Sequence, residues 1–263
     1  YFLARAGNDV SVAVIEKDSS YSNATTSQGA GGVRQQFSVE ENIAQSTFSL
    51  DFYKHWEAHL ADVPDLSDLK FREQGYLFAV TAEGEDILLR NEALQRSMGV
   101  KTIVMDREEL CRKFPSIDRK DIVTSVYTPD DGWIDPSAAM WGFRRAAEHH
   151  GAAYINGRAT GMDTTKTKVM GVSLEDGRKI EADYVINCAG PWVNDIAKMT
   201  GTELPIAPMC RLQHFWECPH EFEDLPLVKD ESGMFFRPEG SGFAGGRPSF
   251  DIEPGYVEDI DSG

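Results

Sequence analysis

Glu16 closes a short apolar run, Val12, Val14 and Ile15, and a polar loop leads from it to a small-residue cluster, Gly29, Ala30, Gly31 and Gly32, and then to Arg34. A strand that ends in a carboxylate is how a dinucleotide-binding βαβ unit holds ribose, because the carboxylate accepts hydrogen bonds from the hydroxyls. Glycines beyond it let backbone approach a flat ring or a phosphate, since no Cβ intervenes. A second stretch, Tyr184 to Trp192, has an apolar run that suits a central parallel strand. Ala189 and Gly190 follow it, with Pro191 at a helix start. That arrangement presents backbone N–H groups at the carboxyl edge of a sheet, where cofactors bind in open α/β folds. Each stretch also has a plain reading: a solvated strand-end Glu, an ordinary loop at 29–32, and a strand-to-helix turn at 189–191.

The elements around these residues follow from local signals. The glycine motif that partners Glu16 belongs about 20 residues before it, upstream of Tyr1. The opening residues then read as the tail of a first helix, stopped by Gly7 and Asn8, and the chain as a fragment that begins inside a crossover helix. Ser38 and Glu41 make a capping box that opens a helix to about Leu60, with Ile43, Phe48, Phe52, Trp56 and Leu60 as its core stripe. Gly75 to Val80 is a buried strand, and Ala82 to Gly99 a helix stopped by glycine. Asp106 and Glu109 form a second capping box, on a short helix that ends before Pro115. Ile122 to Tyr127 alternates as a strand, and Asp131-Gly132 reads as a turn. Asp135 caps a helix with Pro136 at its first position, closed by Gly151, with His149 and His150 favouring its dipole.

Ala153 to Arg158 is a strand, and Glu175-Asp176-Gly177 turns a hairpin. Beyond Leu204 the short runs 211–217, 227–229, 234–237 and 243–246 predict an antiparallel sheet, and the acidic end reads as truncated. The expected fold class is α/β: a Rossmann-like nucleotide-binding layer from 1–60 and 150–203, interleaved with an antiparallel β-rich substrate or cap layer from 61–149 and 204–263.

At 263 residues the chain can bury a sizeable core, and 41% hydrophobic with 26% charged residues is ordinary for a globular protein. A net charge of −17 opposes binding to nucleic-acid phosphates and to anionic membranes. No apolar run approaches the ~18 residues of a spanning helix. Cys111, Cys188, Cys210 and Cys218 are scattered without metal-ligand spacing, which predicts reduced thiols and no metal centre.

Taken together, Gly31-Gly32-Val33-Arg34-Gln35-Gln36-Phe37-Ser38, Asp131-Gly132-Trp133-Ile134-Asp135-Pro136, Val185-Ile186-Asn187 with Ala189-Gly190, and Phe236-Arg237 with Gly245-Gly246-Arg247 resemble the D-amino-acid oxidase and sarcosine oxidase superfamily of FAD-dependent oxidoreductases. The resemblance spans nearly the whole chain. It implies FAD as cofactor, with Glu16 on the adenosine ribose and Thr25, Thr26, Ser27 and Gln28 along the pyrophosphate and toward the flavin. Gly31 and Gly32 would lie against the isoalloxazine, Ala159 near the adenine, and Ala189 and Gly190 on the pyrophosphate. Arg34 matches a residue that pairs with the substrate carboxylate, a task suited to a guanidinium fork; a structural salt bridge is the alternative. The implied chemistry is oxidation of a C–N bond in an amino acid or N-methylated amine. No His stands at Gln28-Gly29, where some members link the flavin covalently, so non-covalent FAD is expected. The motifs lie nearest to a branch that serves as an assembly factor for mitochondrial respiratory complex I. That branch implies complex I subunits or assembly intermediates as partners, and the matrix side of the inner membrane as location. Catalytic turnover, a purely structural or regulatory flavin, and an inactive partial product remain the three functional readings.

Overall fold

The computed structural model describes residues 1–7, 10–117, 119–220, 222, 224–248 and 253–256. Asn8 and much of the acidic end therefore lie outside the described residues. In chain order the elements begin with α1 (Phe2–Arg5), β1 (Ala13–Glu16), β2 (Gly32–Val33), α2 (Glu40–Lys54), α3 (Trp56–His59), β3 (Tyr76–Val80) and α4 (Glu85–Ser97). They continue with β4 (Ile103–Asp106), α5 (Arg107–Lys113), β5 (Thr124–Thr128), β6 (Gly132–Trp133), α6 (Pro136–His149), β7 (Ala153–Asn156) and β8 (Ala159–Thr164). The last are β9 (Val169–Leu174), β10 (Lys179–Glu181), α7 (Val193–Lys198), β11 (His214–Glu217), β12 (Leu227–Asp230), β13 (Phe235–Glu239) and β14 (Gly242–Gly246). The chain divides into two compact units, one of residues 1–28, 140–211 and 249–263, the other of 29–139 and 212–248.

In the first unit β1 and β7 run parallel, in a register that sets Glu16 opposite Asn156. The antiparallel sheet β10-β9-β8 stands beside them in sequence. Its β9–β10 hairpin turns at Glu175-Asp176-Gly177, where Leu174 N donates to Arg178 O. The predicted strand at 184–188 does not form. Those residues carry no ladder among the described residues, and Tyr184 and Ile186 are 89% and 67% exposed. An apolar run becomes a strand only when a neighbour supplies hydrogen-bond partners.

The second unit is built on a sheet ordered β11-β14-β13-β12-β3-β5-β4. Strand alternation sorts its side chains. Leu77, Ala79, Tyr127 and Val228 pack with Met105, Leu110 and Phe114 in one cluster, while Tyr76, Leu227 and Trp133 form another with Phe78 and Phe235. The runs beyond Leu204 pair antiparallel with one another, as the sequence suggested, and β12 joins β3 in parallel, Leu227 opposite Tyr76.

Capping signals fare unevenly. Asp106 Oδ1 accepts from Glu109 N, and Asp106 N donates to Glu109 Oε2, closing the predicted box on α5. Asp106→Ala is expected to cost about 1 kcal/mol, read as a lower urea midpoint at unchanged m-value. Asp135 Oδ1 accepts from Ser137 N and Ala138 N, both at 3.0 Å. α4 ends at Gly99 (φ +87°), beyond which Val100 N reaches back to Gln95 O. The Ser38–Glu41 box, in contrast, is absent. α2 starts one residue late, with Val39 extended at the N-cap and no side-chain cap. The helix also breaks at His55, and Phe48 of the predicted stripe is 59% exposed while Ile43, Phe52, Trp56 and Leu60 are buried.

Candidate functional site

In the first unit Glu16 stands at the carboxyl end of the parallel pair, and its backbone oxygen accepts from Gly157 N. One carboxylate oxygen accepts from Asp18 N at 2.9 Å. The other has no partner among the described residues and is available to an incoming hydroxyl. Ala159 opens β8 opposite Leu174, and the strand predicted over Ala153 to Arg158 stops at Asn156.

The loop after Glu16 is organised by Asp18, a residue without an assigned role in the sequence reading. Its carboxylate accepts from Ser20, from Ser22 Oγ at 3.0 Å and from Asn23 N, and these bonds hold it down to about 2. The Asp-Ser-Ser pattern, a side chain bonding backbone a few residues on, is the signal that could have found it. Within this loop Ser27 Oγ donates inward, toward Tyr21 O and Ala24 O, and Gln28 Nε2 donates to Ser22 O. Thr25 and Thr26 are exposed, with hydroxyls that bond nothing among the described residues.

At the second stretch Asn187 ties the turn together. Its Nδ2 donates to Val193 O at 2.8 Å and its Oδ1 accepts from Ala189 N at 3.2 Å. Gly190 has a φ of +53° and starts a 3-10 turn, Gly190–Trp192, that leads into α7. The N–H expected to be bare at Ala189 is thus engaged by a side chain. Lys17 Nζ sits 3.2 Å above the Trp192 ring, whose other neighbour is the Tyr256 ring, parallel to within 5° at 5.9 Å.

In the second unit β2 pairs with β6, Gly32 opposite Trp133 and Val33 opposite Gly132. Gly31 is required by the chain itself. Its φ is +69°, its carbonyl accepts from Ile134 N, and a Cβ there would lie 2.1 Å from Ile134 O. Gly32 is exposed, and a Cβ on it would touch Leu227 Cδ1 at 3.1 Å. Arg237, buried, donates from Nε to Ala30 O at 2.8 Å and pairs with Glu239, so it anchors the small-residue loop from a strand two hundred residues on. The sequence contains this residue in a motif but does not say what it holds.

Arg34 follows this loop. Its guanidinium carbon lies 4.6 Å from the Phe37 ring centre, 5.3 Å from Phe78 and 5.4 Å from Tyr76, and Nη1 donates to Tyr76 Oη at 3.2 Å. Among the described residues it makes no ion pair, so the structural salt bridge is not what holds it. Aromatic faces hold a guanidinium by cation–π attraction without consuming its fork. The adjoining backbone is fixed by Asp131, whose Oδ2 accepts from Gln35 N at 3.0 Å. Asp131 is fully buried and its Oδ1 is unpartnered, as are the buried Gln36 Oε1 and Thr128 Oγ1. Burial pushes the Asp131 carboxyl up to about 7, with the charge of Asp130 adding and the Gln35 N–H opposing.

Each unit thus gathers its own share of the expected residues. Glu16 and Thr25 to Gln28 lie on one strand-end loop, Ala189 and Gly190 on a turn, and Gly31, Gly32 and Arg34 on one short run beside β6. Free acceptor and donor atoms at Glu16, Thr25 and Thr26 fit the ribose and phosphate end of a dinucleotide.

The model of the FAD dependent oxidoreductases, DAO, matches residues 1–261. The chain belongs to this family of flavin-dependent oxidoreductases, whose cofactor is FAD. It is 33% identical over 272 residues to FAD-dependent oxidoreductase domain-containing protein 1 of Bos taurus, covering 91% of this chain and 56% of that protein. The chain therefore spans about half the length of that relative. It is 26% identical over 193 residues to the mitochondrial sarcosine dehydrogenase of Homo sapiens, covering 71% of this chain and 21% of that protein. The crystal structure of L-proline dehydrogenase from P. horikoshii superposes with a TM-score of 0.78 at 26% identity, covering 97% of this chain and 68% of that one. Among the described residues no helix is long and apolar enough to cross a membrane.

Proposed function

We propose that this chain forms the FAD-binding layer and part of the substrate layer of an oxidoreductase acting on a C–N bond of a small amino acid or N-methylated amine. The observation that carries this reading is Arg34, whose guanidinium is held by three aromatic faces and a tyrosine hydroxyl and pairs with no carboxylate among the described residues. A ligand carboxylate is the natural occupant of such a fork, through two parallel charge-assisted hydrogen bonds.

The first unit would hold FAD without a covalent link. Glu16 would accept from the ribose hydroxyls, Thr25, Thr26, Ser27 and Gln28 would line the pyrophosphate, Ala189 and Gly190 would pack on it, and Ala159 would lie near the adenine. Gly31 and Gly32 would bring backbone against the ring. When bound, the flavin supplies a two-electron acceptor. Arg34 orients the substrate, Tyr76 steadies Arg34, and Asp131 fixes the backbone that carries it. In the cell, the resemblance supports a role of the longer protein in assembling mitochondrial respiratory complex I, with assembly intermediates as partners on the matrix side of the inner membrane.

The test is the visible spectrum of the full-length protein before and after acid precipitation, followed by an amine and amino-acid screen. Flavin bands that pass into the supernatant are the expected result; flavin retained in the pellet would mean a covalent link, and a colourless protein that FAD cannot reconstitute would sink the reading. In the same protein Arg34→Ala is expected to lower kcat/KM for a carboxylate-bearing substrate by about 100-fold while the flavin spectrum persists. If Arg34→Ala leaves complex I assembly intact with FAD still bound, turnover is not what assembly needs.

A further inference from the structure

Asp51, His55 and His59 follow one another at single helical turns along α2 and α3 of the second unit, apart from every residue assigned above to cofactor or substrate. We propose that they form a binding site for a divalent transition metal of the zinc class. The helix is broken at His55, but the hydrogen bonds that matter persist: His55 N donates to Asp51 O at 3.1 Å and His59 N to His55 O at 2.9 Å. The break therefore leaves the three side chains on one face, where residues four apart are neighbours.

One ligand atom from each residue lies within 4.8 Å of the other two. A tetrahedral ion with ligands at about 2.0–2.2 Å needs those atoms roughly 3.4 Å apart, so closure requires side-chain movements of up to about 1.5 Å. The side chains of Asp51 and His55 are largely exposed, and the His55 ring is already oriented by its Nδ1, 3.0 Å from Asp51 O. His59 is pre-set, because its ring stacks flat on Phe52 at 4.5 Å and 3°. His55 Nδ1 already faces the Asp51 carboxylate at 3.2 Å, so the acid serves either as third ligand or as the group that orients the imidazole. Two imidazoles with one carboxylate select Zn²⁺ or its neighbours over Mg²⁺ and Ca²⁺, which prefer oxygen alone. The fourth position would be open to water. A net charge of −17 raises the local concentration of any cation.

The test uses the full chain, stripped of metal with a chelator and dialysed against Zn²⁺ at micromolar concentration, with bound zinc counted by emission spectroscopy. One zinc per chain is expected, with Co²⁺ in its place giving visible d–d bands. His55→Gln and His59→Gln are each expected to weaken zinc uptake at least tenfold, and Asp51→Asn to weaken it less. His55→Gln is the decisive variant, since its side chain is exposed and its loss spares the core. Zinc uptake that both His variants leave unchanged would place the metal elsewhere, at His149 and His150 for example, and overturn the proposal. No uptake by the wild-type chain would overturn it as well.

Discussion

Between about pH 4 and pH 7 the folded chain is expected to lose up to about 4 kcal/mol of stability as pH rises, through the single carboxyl of Asp131. Burial lifts this group from 3.8 to about 7, whereas in the unfolded chain it ionises at its ordinary value. Inside that window the folded state keeps a proton that the unfolded state has released. Unfolding then frees a proton, and rising pH favours it. Asp18, Asp121 and Asp176 act in the opposite sense. Their hydrogen bonds hold them below the usual carboxylate range, so the stability they give is present above that range and lost as pH falls through their folded values. Their effect lies below about pH 4, under the window in which Asp131 titrates.

Urea unfolding of the wild type and Asp131→Asn across this range separates the contributions. The amide keeps an acceptor for Gln35 N–H and places N–H donors where the neutral acid has its O–H. Asp131→Asn should match the wild type near pH 4.5, exceed it near pH 7.5, and show a flatter slope. Asp131→Ala is the contrasting case. It strands the buried Gln35 N–H at every pH, at a cost of about 1–3 kcal/mol. Equal slopes for wild type and Asp131→Asn would show that another group titrates.

Gly132→Ala is expected to destabilise the second unit by about 3 kcal/mol and to displace the backbone around Trp133. A Cβ at this position would lie 1.8 Å from Arg72 O, a backbone atom that cannot swing aside. Arg72 is held there by paired bonds with Trp133, Arg72 N to Trp133 O at 2.8 Å and Trp133 N to Arg72 O at 3.2 Å. Relief of the clash has to break that bridge or shift Gly132 against Val33, its partner in β2 one residue before Arg34. Thermal unfolding and Trp133 fluorescence report both consequences. A variant with wild-type melting temperature and emission maximum would contradict the close approach.

What the sequence disclosed has a common physical character. The Asp106–Glu109 box, the Asp135 cap and the Glu175-Asp176-Gly177 turn all involve partners within four residues, so composition and spacing suffice. Ser38 and Glu41 have the right spacing and still make no box, because Val39 took the N-cap position. The run at 184–188 has strand composition, but a strand also needs a neighbour that composition cannot name. Asp131 was legible as a turn residue beside Gly132. Its buried bond to Gln35, ninety-six positions away, depends on tertiary packing. The candidate site divides similarly. Glu16, Gly31, Gly32 and Arg34 were visible by type, while Asp18 and Arg237, which hold the loops carrying them, act through contacts that a linear reading does not show.

The parallel join of β3 to β12 sets the order in which the second unit can be completed on the ribosome. Tyr76 meets Leu227 across some one hundred and fifty residues, and 140–211, which belong to the other unit, are synthesised between them. Until β12 emerges, β3 can pair only with β5, and its other edge presents unpaired amides flanked by Tyr76, Leu77 and Phe78. Such an edge is a template for a neighbouring nascent chain. Holdase chaperones are therefore most needed while the middle of this chain is being made, and a message that stops before β12 would yield an aggregating product with an open sheet.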